Sequence, residues 1–254
     1  MSRPPQALPP AFYAARRGLD TRRRAWAEWW VVLHPPYTLW HLSYVVIGAT
    51  IAPEFDGVTL AATVMAFFLA VGVCAHSLDE LRGRPLRTNI AAWQLITVAA
   101  VALSGAVGLG IIGITRVGVG LAAFIAIGVV LTCGYNLELL GGRLHNDVSF
   151  AVAWGAFPVL TAYYAQSRTL GAPAVLAAGG CYLLSNAQRS LSTRARQLRR
   201  RVATVRGEVV YHDGHSEPLT TTLMLAPLDA ALKAMAWGVV ALATGLVVFR
   251  LQAR

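Results

Sequence analysis

Residues 71–90 read VGVCAHSLDELRGRPLRTNI. An apolar run carries straight into His76, Asp79 and Glu80, and then into Arg82, Arg84 and Arg87. Upstream the run extends to residue 58, so it is about 20 residues long, enough to cross roughly 30 Å of hydrocarbon as a helix. His76, Asp79 and Glu80 are spaced i, i+3 and i+4 and share one helix face. A membrane-length helix that ends in a histidine and two acids points to an all-α membrane protein. It also asks what the acids are for, since ionisable groups at a membrane helix end face a cavity or a partner.

The rest of the chain agrees with the class. Of 254 residues, 56% are hydrophobic and 13% charged, against about 25% charged in an ordinary soluble domain. A net charge of +10 on a soluble chain would suggest nucleic acid. Here the arginines sit between apolar runs, where they set membrane orientation, and no nucleic-acid partner is expected. Cys74, Cys133 and Cys181 lie inside apolar runs without metal-ligand spacing and read as buried thiols. The Pro- and Arg-rich start reads as no cleavable signal peptide, and the first apolar run, from about residue 30, would serve as a signal anchor.

Residues 1–30 read as a basic cytosolic arm, with an amphipathic helix over 11–28 on anionic lipid and Trp26, Trp29 and Trp30 at the interface. Residues 31–254 read as a single transmembrane helical domain, a polytopic bundle of about seven spans near 37–54, 58–80, 90–114, 117–139, 149–166, 169–190 and 232–250. The heavy arginine loads alternate between the connections and fall on the side of the N-terminal arm. That predicts a cytosolic N-terminus and an outside C-terminus, in a cell membrane of bacterial or archaeal type. Residues 191–218 form a basic cytosolic loop, starting LSTRARQLRRR and ending in a hairpin that turns at Asp213-Gly214. LTTTLMLAPLDAALKAMAW, residues 219–237, reads as an interfacial helix before the last span.

Three clusters carry possible chemistry. Carboxylate oxygens of Asp79 and Glu80 suit Mg2+, a hard cation that also binds phosphate, and Arg82, Arg84 and Arg87 offer guanidinium forks to phosphate. The same residues read equally well as a helix end entering water, with arginines set by topology. Tyr135, Asn136, Arg143, His145 and Asp147, with Tyr163 and Tyr164 in the next span, would complete a pocket on the same face, though the loop members also suit a solvated turn. Asn186, Arg189 and Thr193 share a face and offer donors to an anion, while the arginines beyond 196 read as a headgroup patch. His34 and His41 lie seven apart on one face, and each alone suits a structural histidine. His212, Asp213 and His215 have metal-ligand chemistry but sit in a Gly-containing turn.

HPPYTLWHLSYVVIGA (34–49), AHSLDELRGRPL (75–86) and YNLELLGGRLHNDVSFAVAWGAFPVLTAYYA (135–165) together resemble the UbiA superfamily of intramembrane prenyltransferases, over about residues 34–195. The resemblance implies an all-α bundle around a central cavity, usually of nine spans. It implies an isoprenoid diphosphate held through Mg2+ by two Asp-rich motifs, and a prenyl group passed to an aromatic or lipophilic acceptor or cyclised. The first motif, Asn-Asp-x-x-Asp with an Asp four on, falls here on Ala75, His76, Asp79 and Gly83. Asp79 keeps the acid, with Glu80 beside it. The second falls near 186–196, on Asn186, Gln188, Arg189, Ser192 and Arg194, with no acid.

Two functional readings follow from the resemblance. In one, Asp79 and Glu80 hold Mg2+, His76 acts as an acid or base, and Arg189 with Arg194 holds phosphate. His34, His41, Arg84, Tyr135, Asn136, Arg143 and Asn186 would then complete the substrate wall, and Tyr163 and Tyr164 would shield the allylic cation. In the other, the chain binds a lipid or isoprenoid, or acts as a membrane scaffold, without catalysis. A coupled transporter fits less well, because the middle spans carry almost no charge at mid-membrane depth.

Overall fold

A computed structural model describes residues 21–253; the basic arm before Thr21 lies outside them. The described chain is mostly helical. A short helix α1, Thr21–Val32, precedes seven longer rods. These are α2 (Pro35–Thr50), α3 (Gly57–Leu81), α4 (Ala92–Val117), α5 (Leu121–Asn136), α6 (Asp147–Ser167), α7 (Ala172–Arg200) and α8 (Thr221–Gln252). Between α7 and α8, β1 (Glu208–Val210) pairs antiparallel with β2 (Ser216–Pro218), with Val209 opposite Glu217.

Helices α3, α4, α6 and α8 are the four long and apolar enough to cross a membrane. The other three rods each fall short on length or polarity. Helices α2 and α5 have 16 residues each, about 24 Å of rise, and the second half of α7 is rich in arginine. The stretch read as a separate interfacial helix at 219–237 is instead the start of one 32-residue helix. The reason is its buried stripe: Leu225, Leu232, Ala236, Val239 and Ala243 recur at spacings of a helix seam, so one face packs continuously past Pro227.

Local chemistry sets several ends. Asp56 caps α3, accepting from the Thr59 N–H at 2.7 Å, and Gln166 at the end of α6 grips the Asp56 backbone from across the bundle. Asn146 caps α6 and Thr220 caps α8. His34 turns the chain from α1 into α2 in a left-handed conformation, φ 46°, and prolines follow at the first helical positions, where the missing N–H costs nothing.

Helix α2 lies against α6 and α8 at the centre, with Trp40, Tyr44 and Val45 fully buried. Two glycines set the spacing. A Cβ on Gly48 would come within 2.3 Å of the Val159 carbonyl oxygen, so α2 and α6 touch backbone to backbone there. A Cβ on Gly155 would meet the Cys181 carbonyl at 2.7 Å, which brings α6 onto α7. Helices α3 and α6 both widen into π-helical turns, at Phe68–Ala75 and Val152–Ala156, a local geometry frequent at functional sites.

Because Gly48 sits on a backbone, Gly48→Ala should destabilise the purified protein by about 1–3 kcal/mol through overpacking. Gly245→Ala, inside α8 with nothing within 4 Å of the added Cβ, should leave the thermal midpoint in detergent the same or raise it slightly, since Ala favours a helix over Gly by about 0.5–1 kcal/mol.

Candidate functional site

A cavity of about 310 Å3 lies where α2 begins, α3 and α5 end, and α7 carries its arginines. Helix α2 supplies His34, Tyr37 and His41, and α3 supplies Val71, Ala75, His76 and Asp79. The α3–α4 loop adds Pro85 and Leu86, and α5 adds Tyr135 and Asn136. Phe150 and Trp154 come from α6, next to His145, and α7 contributes Gln188, Arg189, Ser192, Arg196, Arg199 and Arg200. Both π-helical turns therefore form wall: Val71 and Ala75 come from one, Trp154 from the other.

The polar groups are fixed in different ways. The His34 ring stacks on His76 with centroids 4.4 Å apart, and its Nδ1 donates to the Val32 carbonyl at 2.6 Å. Burial pushes the His34 imidazole down to about 4, with the nearby charges of Arg200 and Arg196 acting in the same direction. His41 Nδ1 donates to the Trp154 carbonyl at 2.9 Å, pinning the π-helical turn of α6 to α2. Asn136 donates to the Thr132 carbonyl at 2.7 Å.

Tyr135 stacks on His145 at 4.5 Å. Its side chain is buried, and its hydroxyl has no hydrogen-bond partner among the described residues. Arg189 donates from Nε to Asp147 at 2.9 Å and lies 5.1 Å over the Phe150 ring. Arg196 donates to the Thr193 hydroxyl; burial, then the charge of Arg189, lowers its pKa. Arg199 pairs with Asp229 on α8. The Asp79 carboxylate lies on the wall and makes no hydrogen bond or ion pair among the described residues.

Glu80 is turned away from this cavity. Its carboxylate is fully buried and accepts from the Leu86 N–H at 2.9 Å, the Thr88 N–H at 3.0 Å and the Thr88 hydroxyl at 2.8 Å. Neighbouring helix residues diverge by about 100°, so Asp79 faces the cavity and Glu80 the loop. The three following arginines belong to that loop's framework or surface. Arg84 donates to the Ile90 carbonyl, Arg82 pairs with Glu138 at the surface, and Arg87 adopts a positive φ.

The structure thus brings His34, His41, His76, Asp79, Tyr135, Asn136 and Arg189 to one wall. It places Arg84 in the loop and turns the Glu80 carboxylate towards it. Arg143 and Arg194 are exposed, and Asn186 stands off the cavity. Tyr163 packs with Ala52 and Ala174, and Tyr164 stacks on Phe124 at 4.8 Å. They lie at the far end of α6, about 13 Å along the helix from Trp154. The aromatic wall is instead Tyr135, Phe150 and Trp154. Sequence reasoning passed over Arg196 and Arg199, which it grouped with, or beside, the headgroup patch. The available signal was the spacing of Gln188, Ser192, Ala195 and Arg199, which continues the buried face of α7 into its basic half.

A second space, an apolar groove of about 270 Å3, runs between α3, α4, α5 and α6. Val71 and Trp154 line both it and the polar cavity, and from there it reaches Val58, Arg116 and Ala165. From Val71 to Val58 the helix rises about 20 Å.

The donors present do not fit the Mg2+ site that the resemblance implies. Among the described residues, no three His, Cys, Asp or Glu side chains gather to hold a metal, the hairpin's His212, Asp213 and His215 included. Glu80 spends its oxygens on the loop, and α7 meets Asp79 with guanidinium groups rather than carboxylates.

No protein-family model matches the chain, and no curated protein and no solved structure matches it either. The class the structure defines is a helical protein with four membrane-length apolar helices, the mark of a membrane protein.

Two outcomes follow from this geometry. Glu80→Ala should destabilise the protein by about 3 kcal/mol or more, since it strands buried donors. It should also open residues 82–90 to protease, in EDTA as much as in Mg2+; a metal-ligand role would make the loss depend on Mg2+. The second concerns pH. His34 titrates near 6.5 when unfolded and near 4 when folded, so the unfolded chain takes the proton first. Its contribution is complete above pH 6.5 and is lost as pH falls through 4, at most about 2 kcal/mol by pH 5. Thermal melts of His34→Gln should be flatter across that window than those of the parent.

Proposed function

We propose that this chain is an integral membrane enzyme of the prenyltransferase type, acting on an isoprenoid diphosphate and a lipophilic or aromatic acceptor. One observation carries the reading: a cavity walled on one side by arginines shares the side chains of Val71 and Trp154 with a neighbouring apolar groove. That shape suits a ligand with an anionic head and a long apolar tail. With the head between α3 and α7, the guanidinium groups favour departure of the diphosphate with the bonding electron pair. The faces of Tyr135, Phe150 and Trp154 then line the space beside the allylic cation. Attack by the acceptor forms the new bond, and Asp79, a wall carboxylate without a hydrogen bond or ion pair among the described residues, takes the acceptor's proton.

In this reading α2, α5 and α7 complete a seven-span bundle. The arginine loads support a cytosolic cavity and N-terminus, with the C-terminus outside, in a bacterial or archaeal-type cell membrane. A second reading, a non-catalytic isoprenoid or lipid binder, is favoured by the single carboxylate on the cavity wall.

Labelled isoprenoid diphosphate, presented to membranes carrying the full chain, separates the two. The enzyme reading expects turnover, reduced about 100-fold or more in Asp79→Asn with binding retained. Binding without turnover in the parent selects the binder, and absence of binding removes both.

A further inference from the structure

We infer that the cavity grips its diphosphate with arginine and tyrosine side chains and without a divalent metal ion. The inference rests on the isoprenoid diphosphate reading above and changes what holds the head group.

The acid side of the site is too thin for a bridging cation. Asp79 and Glu80 would have to share it, yet Glu80 is fully buried and already accepts three hydrogen bonds from the α3–α4 loop. Recruiting it would unmake that loop. The opposite side is built for an anion. Arg189 and Arg196 both line the cavity from α7; among the described residues, Arg189 has a carboxylate partner in Asp147, whereas Arg196 has only the Thr193 hydroxyl. Asp79 acts on the Arg196 guanidinium through space but makes no ion pair with it among the described residues; a guanidinium taken from water without a contacting counter-charge is costly, and an anion in the cavity lowers that cost. A dication placed between two guanidinium groups would be repelled by both.

Tyr135 adds an independent pointer. The residue is 5% exposed, and its hydroxyl is buried with no hydrogen-bond partner among the described residues. A buried hydroxyl left unmatched normally has a purpose or a missing partner. It lies in electrostatic reach of Arg189, Arg196 and Asp79, where it is placed to donate to a phosphate oxygen. The ring itself is held by stacking on His145, so the hydroxyl is positioned whether or not a ligand is bound.

The test uses the full chain in detergent and inorganic pyrophosphate as the probe, titrated calorimetrically in EDTA and again in Mg2+. Binding is expected in EDTA, and added Mg2+, which also takes up free pyrophosphate, should leave it unchanged or weaken it. Arg196→Gln should weaken binding about tenfold or more, as expected for loss of a charged hydrogen bond. Tyr135→Phe, which keeps the stacked ring, should weaken it several-fold with an unchanged ligand-free melting temperature. Arg196→Lys, retaining charge, should recover part of the loss, which separates lost binding from lost folding. Binding seen only with Mg2+ overturns the inference and leaves the isoprenoid diphosphate reading standing. Binding in EDTA that neither variant alters overturns the assigned grip. Absence of binding in both buffers overturns the inference, while the labelled isoprenoid diphosphate decides the reading separately.

Discussion

The buried carboxylate of Glu80 organises this end of the molecule. It faces away from the cavity and holds the backbone of Leu86 and Thr88. The loop it holds is strained: Gly83, Arg84 and Arg87 all have positive φ, and a left-handed conformation costs a non-glycine residue about 1–2 kcal/mol. Hydrogen bonds to a buried carboxylate, at about 1.5–3 kcal/mol each, outweigh that. So fixed, the loop presents Pro85 and Leu86 as cavity wall. It also presents Leu86 and Ile90 to Val31 and Val32, which seats α1 on the bundle, and Asn89 completes the attachment by bonding Glu28. One acid thus closes the roof, and its neighbour Asp79 is left alone below it.

The walls depend on a different constraint, close helix approach at Gly48 and Gly155. These contacts set α6 against α2 and α7, and the π-helical turn of α6 then pushes Trp154 to where the polar cavity meets the apolar groove. His41 holds that turn by its carbonyl. Hence a histidine that lines the cavity also has a structural duty, and loss of His41 would disturb the wall as well as any chemistry.

Charge is distributed so that one side of the cavity is cationic. Asp147 and Asp229 balance Arg189 and Arg199 from outside the cavity, while among the described residues Arg196 forms no ion pair. The proposed chemistry uses that imbalance in place of the metal-centred acidic clusters that the resemblance implies.

The amino-acid sequence alone determined the class: apolar runs of membrane length, arginines between them, and the turn at Asp213-Gly214 are local properties with fixed periods. It also pointed to His76, Asp79 and Arg189, because helix ends that carry scarce polar groups stand out in an apolar chain. Only the tertiary structure decided which of two adjacent acids faces the cavity, since His76, Asp79 and Glu80 fall within one arc by spacing and loop hydrogen bonds divide them. Only it could show that Tyr163 and Tyr164 lie at the far end of α6 from the cavity. Rise along a helix and rotation about it are legible in sequence, but which arc meets which neighbour is set by where helices touch, and here glycine contacts and π-helical turns set that.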